Sequence, residues 1–216
     1  MALHPQCAAF LAPGADAPEL IDLPLNVGRA GAYADMSISG EIRKNIAISN
    51  QFIPGETADI LIRIYRPAGS NLKNGLVYFH GGGWSYFSVD MYDAQLSALA
   101  DLTDSVIISV NYQKSPEHKF PIPHDDCFTG LKWVFAHANE LGIDETKIGI
   151  GGDSAGGNLA AAAALLAVGP ARAQSGAGRN GSDVINGAFT QHGSELPRGE
   201  KVFPRPARRY TRFFSA

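Results

Sequence analysis

Short apolar runs rich in β-branched residues alternate with helical patterns between residues 46 and 168, and this alternation constrains the fold more than any other feature. The candidate strands are Ile46 to Ile53, Asp59 to Tyr65, Leu76 to Phe79, Ser105 to Asn111 and Lys147 to Ile150. The last three are nearly continuous hydrophobic runs, as expected of buried parallel strands. The Pro-Gly turn over residues 54–58 is too short for a crossover, so the first two strands should pair antiparallel at an edge. The pattern predicts an α/β fold with a mostly parallel sheet and antiparallel N-terminal edge strands.

Three helices are expected in the same region. They cover Asp90 to Leu102, Asp126 to Leu141, and an alanine-rich stretch from Ser154 to about Val168. The second repeats apolar residues at the spacing of one helical face. Four prolines within residues 1–40 interrupt any long element there, so this segment has no clear secondary structure from sequence.

Composition narrows the class of partner. The chain has 216 residues, 45% of them apolar, and a net charge of -3, which gives no field to gather nucleic acid or anionic membrane. A small-molecule substrate is therefore the expected partner. Cys7 and Cys127 lie far apart without paired spacing, so neither a disulfide framework nor a metal site is indicated. No secretory signal pattern and no apolar run long enough to span a bilayer is seen, and we expect a cytoplasmic location.

The last 45 residues differ from the rest in charge and composition. Residues 172–216 hold 8 Lys+Arg against 3 Asp+Glu, whereas the preceding residues hold 10 against 18. Seven of the eleven arginines lie in this stretch, which shows no apolar period. We predict that 172–216 is an Arg/Gly-rich, disordered tail, foreign to the fold and produced by a shifted reading frame or a wrong gene boundary near Val168.

The most informative segment is Gly152-x-Ser154-x-Gly156, between the last predicted strand and the helix that follows it. A serine on such a sharp turn projects its Oγ from the carboxyl edge of the sheet, and flanking glycines remove Cβ atoms that would collide. The alternative is a glycine-rich turn that only tightens a βα junction. A dinucleotide site is disfavoured because its third glycine would fall on Ser154.

A second glycine segment follows the strand that ends at Phe79. It reads His80-Gly-Gly-Gly-Trp84, and three consecutive glycines allow backbone N–H groups to face a cavity that side chains would obstruct. Alone it could be a flexible loop beside a packed tryptophan. Together with the serine turn it indicates a nucleophile with an oxyanion hole.

With both segments, the chain resembles the hormone-sensitive-lipase-like (family IV) esterases of the α/β-hydrolase fold, over roughly residues 40–168. A third match is Tyr112 to Pro121, similar to the family's Tyr-Arg-Leu-Ala-Pro-Glu-x-x-Phe-Pro segment, from which Gln113, Lys114 and Ser115 depart. The resemblance implies that Ser154 is the nucleophile and that the N–H groups of Gly82, Gly83 and Ala155 form the oxyanion hole. It also implies ester cleavage through an acyl-enzyme, without metal or organic cofactor.

The resemblance further implies a carboxylate and a histidine downstream of the serine. Only 62 residues follow Ser154, too few for the later βαβ units of the fold, each of which needs about 30 residues. Asp183 and His192 are the available candidates, and no recognisable strand precedes His192. We therefore expect a C-terminally incomplete fold that lacks its last strands and has an impaired site.

These observations predict three segments. Residues 1–40 form a lid-like segment, 41–171 a partial α/β-hydrolase core, and 172–216 the tail. The predicted function is a serine carboxylic-ester hydrolase; the alternative is a non-catalytic fragment or a module that binds acyl compounds. An unpaired edge at the serine strand would favour self-association.

Overall fold

The computed structural model describes residues 3–14, 18, 22–34 and 39–168. Its helices are α1 (Pro5–Leu11), α2 (Leu25–Ala34), α3 (Asp93–Thr103), α4 (Ile122–Ala136) and α5 (Ala155–Val168). Its strands are β1 (Ile46–Ile53), β2 (Ile60–Pro67), β3 (Lys73–Phe79), β4 (Ser105–Asn111) and β5 (Ile143–Gly152). The predicted tail, with Asp183 and His192, lies outside the described residues.

The five strands form one sheet in the order β1-β2-β4-β3-β5. β1 pairs antiparallel with β2 and β2 antiparallel with β4, whereas β3 is parallel to both β4 and β5. The predicted antiparallel N-terminal pair and the mostly parallel remainder are confirmed. Because β3 and β5 are parallel neighbours, the loops that follow Phe79 and Gly152 leave the sheet side by side.

Helices cover both faces of the sheet, each over its own apolar cluster. On one face α4 and α5 contribute Leu131, Val134 and Leu159 to a core with the buried side chains of the sheet. On the other face α3 packs Leu96 and Ala100 against Ile107. β4 is buried along almost its whole length because it is covered on both faces.

A partly buried ion pair fastens α3 to the sheet. Asp93, at the first turn of α3, accepts hydrogen bonds from the Arg63 guanidinium at 2.7 and 2.6 Å and from the Tyr65 hydroxyl at 2.8 Å. Removing one partner would leave the others buried without compensation, so the cluster fixes the position of α3 on β2.

Several boundaries differ from the sequence prediction. α4 begins at Ile122 rather than Asp126, because Pro123 suits the first turn of a helix, where no N–H is needed; the helix ends at Ala136. α3 begins three residues late, after a short 3₁₀ turn over Val89–Tyr92. β5 is longer than its apolar part because backbone pairing with β3 extends past the hydrophobic residues.

Within the described residues, the outer edge of β5 has no strand partner. The helix beside it, α5, exposes Leu165 and Leu166 by half or more of their surface. No helix of the described part is long and apolar enough to cross a membrane.

Candidate active site

Ser154 occupies the turn between β5 and α5 and has a positive φ of 50°. A left-handed backbone is unusual for a residue with a Cβ and costs of order 1–3 kcal/mol. The turn is held by a hydrogen bond of 2.7 Å from the Gly156 N–H to the Asp153 carbonyl. Ser154 is therefore exposed at the carboxyl edge of the sheet, directly before the N-terminus of α5.

The glycines on either side of Ser154 are required by close backbone approach. A Cβ on Gly156 would lie 1.9 Å from the Phe79 carbonyl oxygen, and one on Gly152 would lie 2.4 Å from the Gly156 carbonyl oxygen. Real Cβ atoms do not come so close to backbone atoms. The end of β3 and the start of α5 are thus in contact only because these two positions lack side chains.

The loop after β3 turns sharply through left-handed backbone. Gly82, Gly83 and Trp84 have φ values of 104°, 56° and 58°. At Gly82 a Cβ would also lie 2.5 Å from the Tyr86 carbonyl oxygen, so only glycine fits there. In the described residues the N–H groups of Gly82 and Gly83 donate to no backbone or side-chain acceptor, and they are free to bind a ligand oxygen.

Asp153 ties the glycine loop to the serine turn. Its Oδ1 accepts from the Gly81 N–H at 2.9 Å and the Tyr78 hydroxyl at 3.1 Å, and its Oδ2 accepts from the Tyr92 hydroxyl at 2.9 Å. Burial, with the Asp153 charge second, raises the pKa of both tyrosines, so both remain donors. The carboxylate beside Ser154 therefore joins the serine turn to the glycine loop through Gly81, to β3 through Tyr78, and to the 3₁₀ turn before α3 through Tyr92.

His80 is buried beneath the glycine loop that follows β3 and does not contact solvent. Its ring is fully buried and stacks on Tyr112 with centroids 4.4 Å apart, and its Nδ1 donates to the Gly81 carbonyl at 2.7 Å. Burial, followed by the charge of Lys114, lowers the pKa of His80 to about 4. A neutral imidazole in this position is a structural support of the loop, and the Tyr112 hydroxyl adds a bond of 2.8 Å to the His80 carbonyl.

Helix α2 reaches this region through Arg29. Its guanidinium donates to the Ser85 carbonyl at 2.7 Å, to the Ser115 carbonyl at 2.9 Å, and to both carboxylate oxygens of Glu117. One side chain therefore joins the N-terminal segment to the glycine loop and to the loop after β4.

The two predicted motifs thus come together at one edge of the sheet. Among the described side chains none hydrogen-bonds to the Ser154 hydroxyl, and no group of three or more His, Cys, Asp or Glu residues could hold a metal ion. Asp183 and His192 lie outside the described part of the chain.

Sequence reasoning missed the residues that connect the motifs. Asp153 directly precedes Ser154, and Tyr112 begins the segment that ends at Pro121. The acidic residue beside the serine could have been recognised in the sequence as a candidate for positioning the turn. Tyr92 and Arg29 lie far along the chain from the residues they contact and carry no motif, so only the fold identifies them.

Comparison with known proteins gives a consistent picture. Residues 76–178 match a protein family whose description is α/β-hydrolase fold. Arylacetamide deacetylase of Bos taurus is 46% identical over 112 residues, which are 49% of this chain and 28% of the relative. Arylesterase of Saccharolobus solfataricus is 46% identical over 113 residues, which are 52% of this chain and 37% of the relative.

A solved structure extends the similarity to the fold. A hyperthermophilic esterase from the archaeon Pyrobaculum calidifontis superposes with a TM-score of 0.72 at 34% identity and covers 81% of this chain. This chain covers 56% of that esterase, so it spans about half the length of its structural relative and less of the curated ones.

Proposed function

We propose that this chain, whose residues 76–178 match the α/β-hydrolase fold, is a hormone-sensitive-lipase-like serine hydrolase acting on small-molecule carboxylic esters. The observation that carries the proposal is the pairing of Ser154, at a left-handed strand-to-helix turn, with a glycine loop in which the N–H groups of Gly82 and Gly83 have no acceptor among the described residues. Neither feature alone would indicate acyl transfer, since glycine turns at βα junctions are common.

In the proposed reaction Ser154 Oγ attacks the ester carbonyl and forms a tetrahedral oxyanion. The N–H groups of Gly82, Gly83 and Ala155 donate to that oxyanion, and the N-terminus of α5 favours its negative charge. The alcohol leaves with a proton, and water then attacks the acyl-serine, which releases the acid and restores the hydroxyl. The reaction needs a general base to take the Ser154 proton and a general acid to supply one to the alcohol.

A second candidate function is binding of acyl compounds without turnover. It is favoured by the unpartnered Ser154 hydroxyl in the described residues, because a serine without a base is a weak nucleophile at neutral pH. With Asp183 and His192 as the remaining triad candidates, we propose that hydrolysis by this chain is impaired. Sites stripped of triad members keep only about 10³ to 10⁴-fold acceleration over water.

A fluorophosphonate probe separates these candidates. Covalent labelling of Ser154 at a rate typical of serine hydrolases, lost in Ser154→Ala and kept in the matched control Ser85→Ala, would support an activated nucleophile. Labelling no faster than that of an exposed serine would support the binding module. A His192→Ala variant with unchanged labelling would remove His192 as the base.

We further propose that residues 1–40 act as a lid-like segment over the site. Arg29 supports this, because it joins α2 to the glycine loop at Ser85 and to the loop at Ser115. A segment that rests on both loops would restrict access to Ser154 and shape the acyl pocket.

We also propose that the chain associates with itself through the outer edge of β5. The unpaired strand edge and the exposed Leu165 and Leu166 of α5 support this, since edges and apolar patches of this kind favour pairing with a second chain. Residues 172–216, proposed to be an added tail, would have to cover this edge for the chain to remain monomeric.

A further inference from the structure

The Gly83 N–H is oriented by hydrogen bonds at the other end of its own peptide unit. In a trans peptide the C=O and the following N–H point in opposite directions, so bonds that fix the carbonyl also orient the amide. The Gly82 carbonyl, which shares this peptide, accepts from the Ser85 N–H at 3.0 Å and from the Tyr86 N–H at 2.8 Å. These two bonds direct the Gly83 N–H away from the turn, where it has no acceptor among the described residues.

The shorter of these two bonds belongs to a chain of hydrogen bonds that begins at Arg29. Arg29 Nε donates at 2.7 Å to the Ser85 carbonyl, and the N–H at the other end of that peptide is the Tyr86 donor. The chain therefore runs from the guanidinium through two peptide units to the free Gly83 N–H. Its first bond is charge-assisted, and hydrogen bonds arranged head to tail polarise one another.

Arg29 also supports the second donor to the Gly82 carbonyl. The Ser85 N–H shares a peptide with the Trp84 carbonyl, which accepts from the Ser115 N–H at 2.9 Å. Arg29 Nη2 donates at 2.9 Å to the carbonyl of the same Ser115. Trp84 has a positive φ of 58°, a strained conformation that persists only where surrounding contacts enforce it. The guanidinium therefore supports the strained turn through two carbonyls.

The Gly82 N–H is oriented by a different set of bonds. The Gly81 carbonyl, at the other end of its peptide, accepts from His80 Nδ1 at 2.7 Å. The loop thus contains two neighbouring donors, of which only the Gly83 N–H is linked to Arg29 through this chain of bonds. The Gly82 amide is therefore an internal reference for any effect of Arg29.

We propose that Arg29 of α2 is a positioning residue for the oxyanion hole, acting through two peptide units on the Gly83 N–H. The role rests on the proposed function, because only a developing oxyanion gives the oriented donor a charge to stabilise. Glu117 accepts from both terminal nitrogens of Arg29 at 2.7 and 3.0 Å, and this hydrogen bonding raises the pKa of Arg29, which stays charged. Docking of α2 is thereby coupled to the strength of one donor, so its release would slow acylation without any change at Ser154.

The first measurement is the rate at which a fluorophosphonate labels Ser154 in the full chain, because the phosphonyl oxygen takes the place of the oxyanion. Loss of one oxyanion donor costs about 10² to 10³-fold in rate. Arg29→Met weakens one donor without removing it, so we expect labelling to slow by only about tenfold. Arg43→Met is the matched control, since the Arg43 guanidinium lies beside Asp101 on α3, and it should label at the rate of the parent.

The second measurement does not require a reactive serine. In a chain containing ¹⁵N-labelled glycine, Arg29→Met should move the Gly83 amide signal upfield, because its peptide loses polarisation, and should leave the Gly82 signal in place. A general loosening of the loop would move both signals alike. Arg29→Lys keeps the charge but lacks the planar fork that reaches two carbonyls, so it should move Gly83 in the same direction by a smaller amount.

The two measurements separate the role of Arg29 from the proposed function. If the parent labels no faster than an exposed serine, the proposed hydrolase fails and the Gly83 signal alone decides on Arg29. An unchanged Gly83 signal, equal movement of Gly82 and Gly83, or unchanged labelling of Arg29→Met beside a reactive parent would each overturn the role of Arg29. Arg29→Lys carries the same test if Arg29→Met does not fold.

Discussion

Gly156→Ala tests whether the serine turn depends on direct backbone contact between β3 and α5. The new Cβ would lie 1.9 Å from the Phe79 carbonyl oxygen, 2.6 Å from the Phe79 carbonyl carbon and 2.7 Å from the His80 carbonyl oxygen. All three are backbone atoms, which cannot rotate away as the end of a flexible side chain can. The helix and the strand end would have to separate by more than about 1 Å to restore van der Waals distances.

The magnitude follows from two opposed terms. Overpacking in a close-packed interior costs about 1–3 kcal/mol and occasionally more, and a backbone clash falls at the upper end. Replacing glycine by alanine in a helix returns about 1 kcal/mol through backbone entropy. We therefore expect Gly156→Ala to lower the free energy of unfolding by about 2 kcal/mol, a substantial part of the roughly 5–15 kcal/mol that stabilises an ordinary domain.

Gly157→Ala is the matched control, since it makes the same chemical change one residue later in α5. Its Cβ would lie 3.3 Å from the Gly152 carbonyl oxygen, a tight contact that a small shift relieves. Urea unfolding followed by tryptophan fluorescence should find Gly157→Ala within about 1 kcal/mol of the parent. Equal stability of the two variants would refute the inference that the turn requires glycine at position 156.

Three further predictions concern a buried histidine, the N-terminal segment and the β5 edge. Because the pKa of His80 is lowered to about 4 in the fold, the stability that this neutral ring contributes is fully present above about pH 6.5 and is lost as the pH falls from there towards 4. The free energy of unfolding in urea should therefore fall over that window by up to about 1.4 kcal/mol per pH unit. In His80→Asn this pH dependence should be smaller. Arg29→Met should make residues 25–34 cleave earlier in limited proteolysis, whereas unchanged cleavage would show that α2 is held by other contacts. Leu165→Glu with Leu166→Glu should shift the chain from oligomer to monomer in analytical ultracentrifugation, while Leu102→Glu on α3 should not; a parent chain that is already monomeric would contradict self-association.

Local sequence patterns alone determine many of the strands and turns of this protein. The β-branched runs at Ile46–Ile53 and Ser105–Asn111 became strands with those bounds, because apolar periodicity depends on immediate neighbours in the chain. The short Pro-Gly turn after β1 likewise determined antiparallel pairing with β2. The glycines around Ser154 and after His80 indicated a strand-to-helix turn and a backbone donor loop, since a Cβ at Gly82, Gly152 or Gly156 would meet backbone atoms.

Tertiary structure alone decided how those parts are joined. Three examples are hydrogen bonds between residues far apart in sequence. The glycine loop and Tyr92 both donate to the carboxylate of Asp153, and Arg29 links α2 to two loops. Such contacts leave no periodic trace in the chain, because a single long-range hydrogen bond constrains one residue at each end and nothing between them.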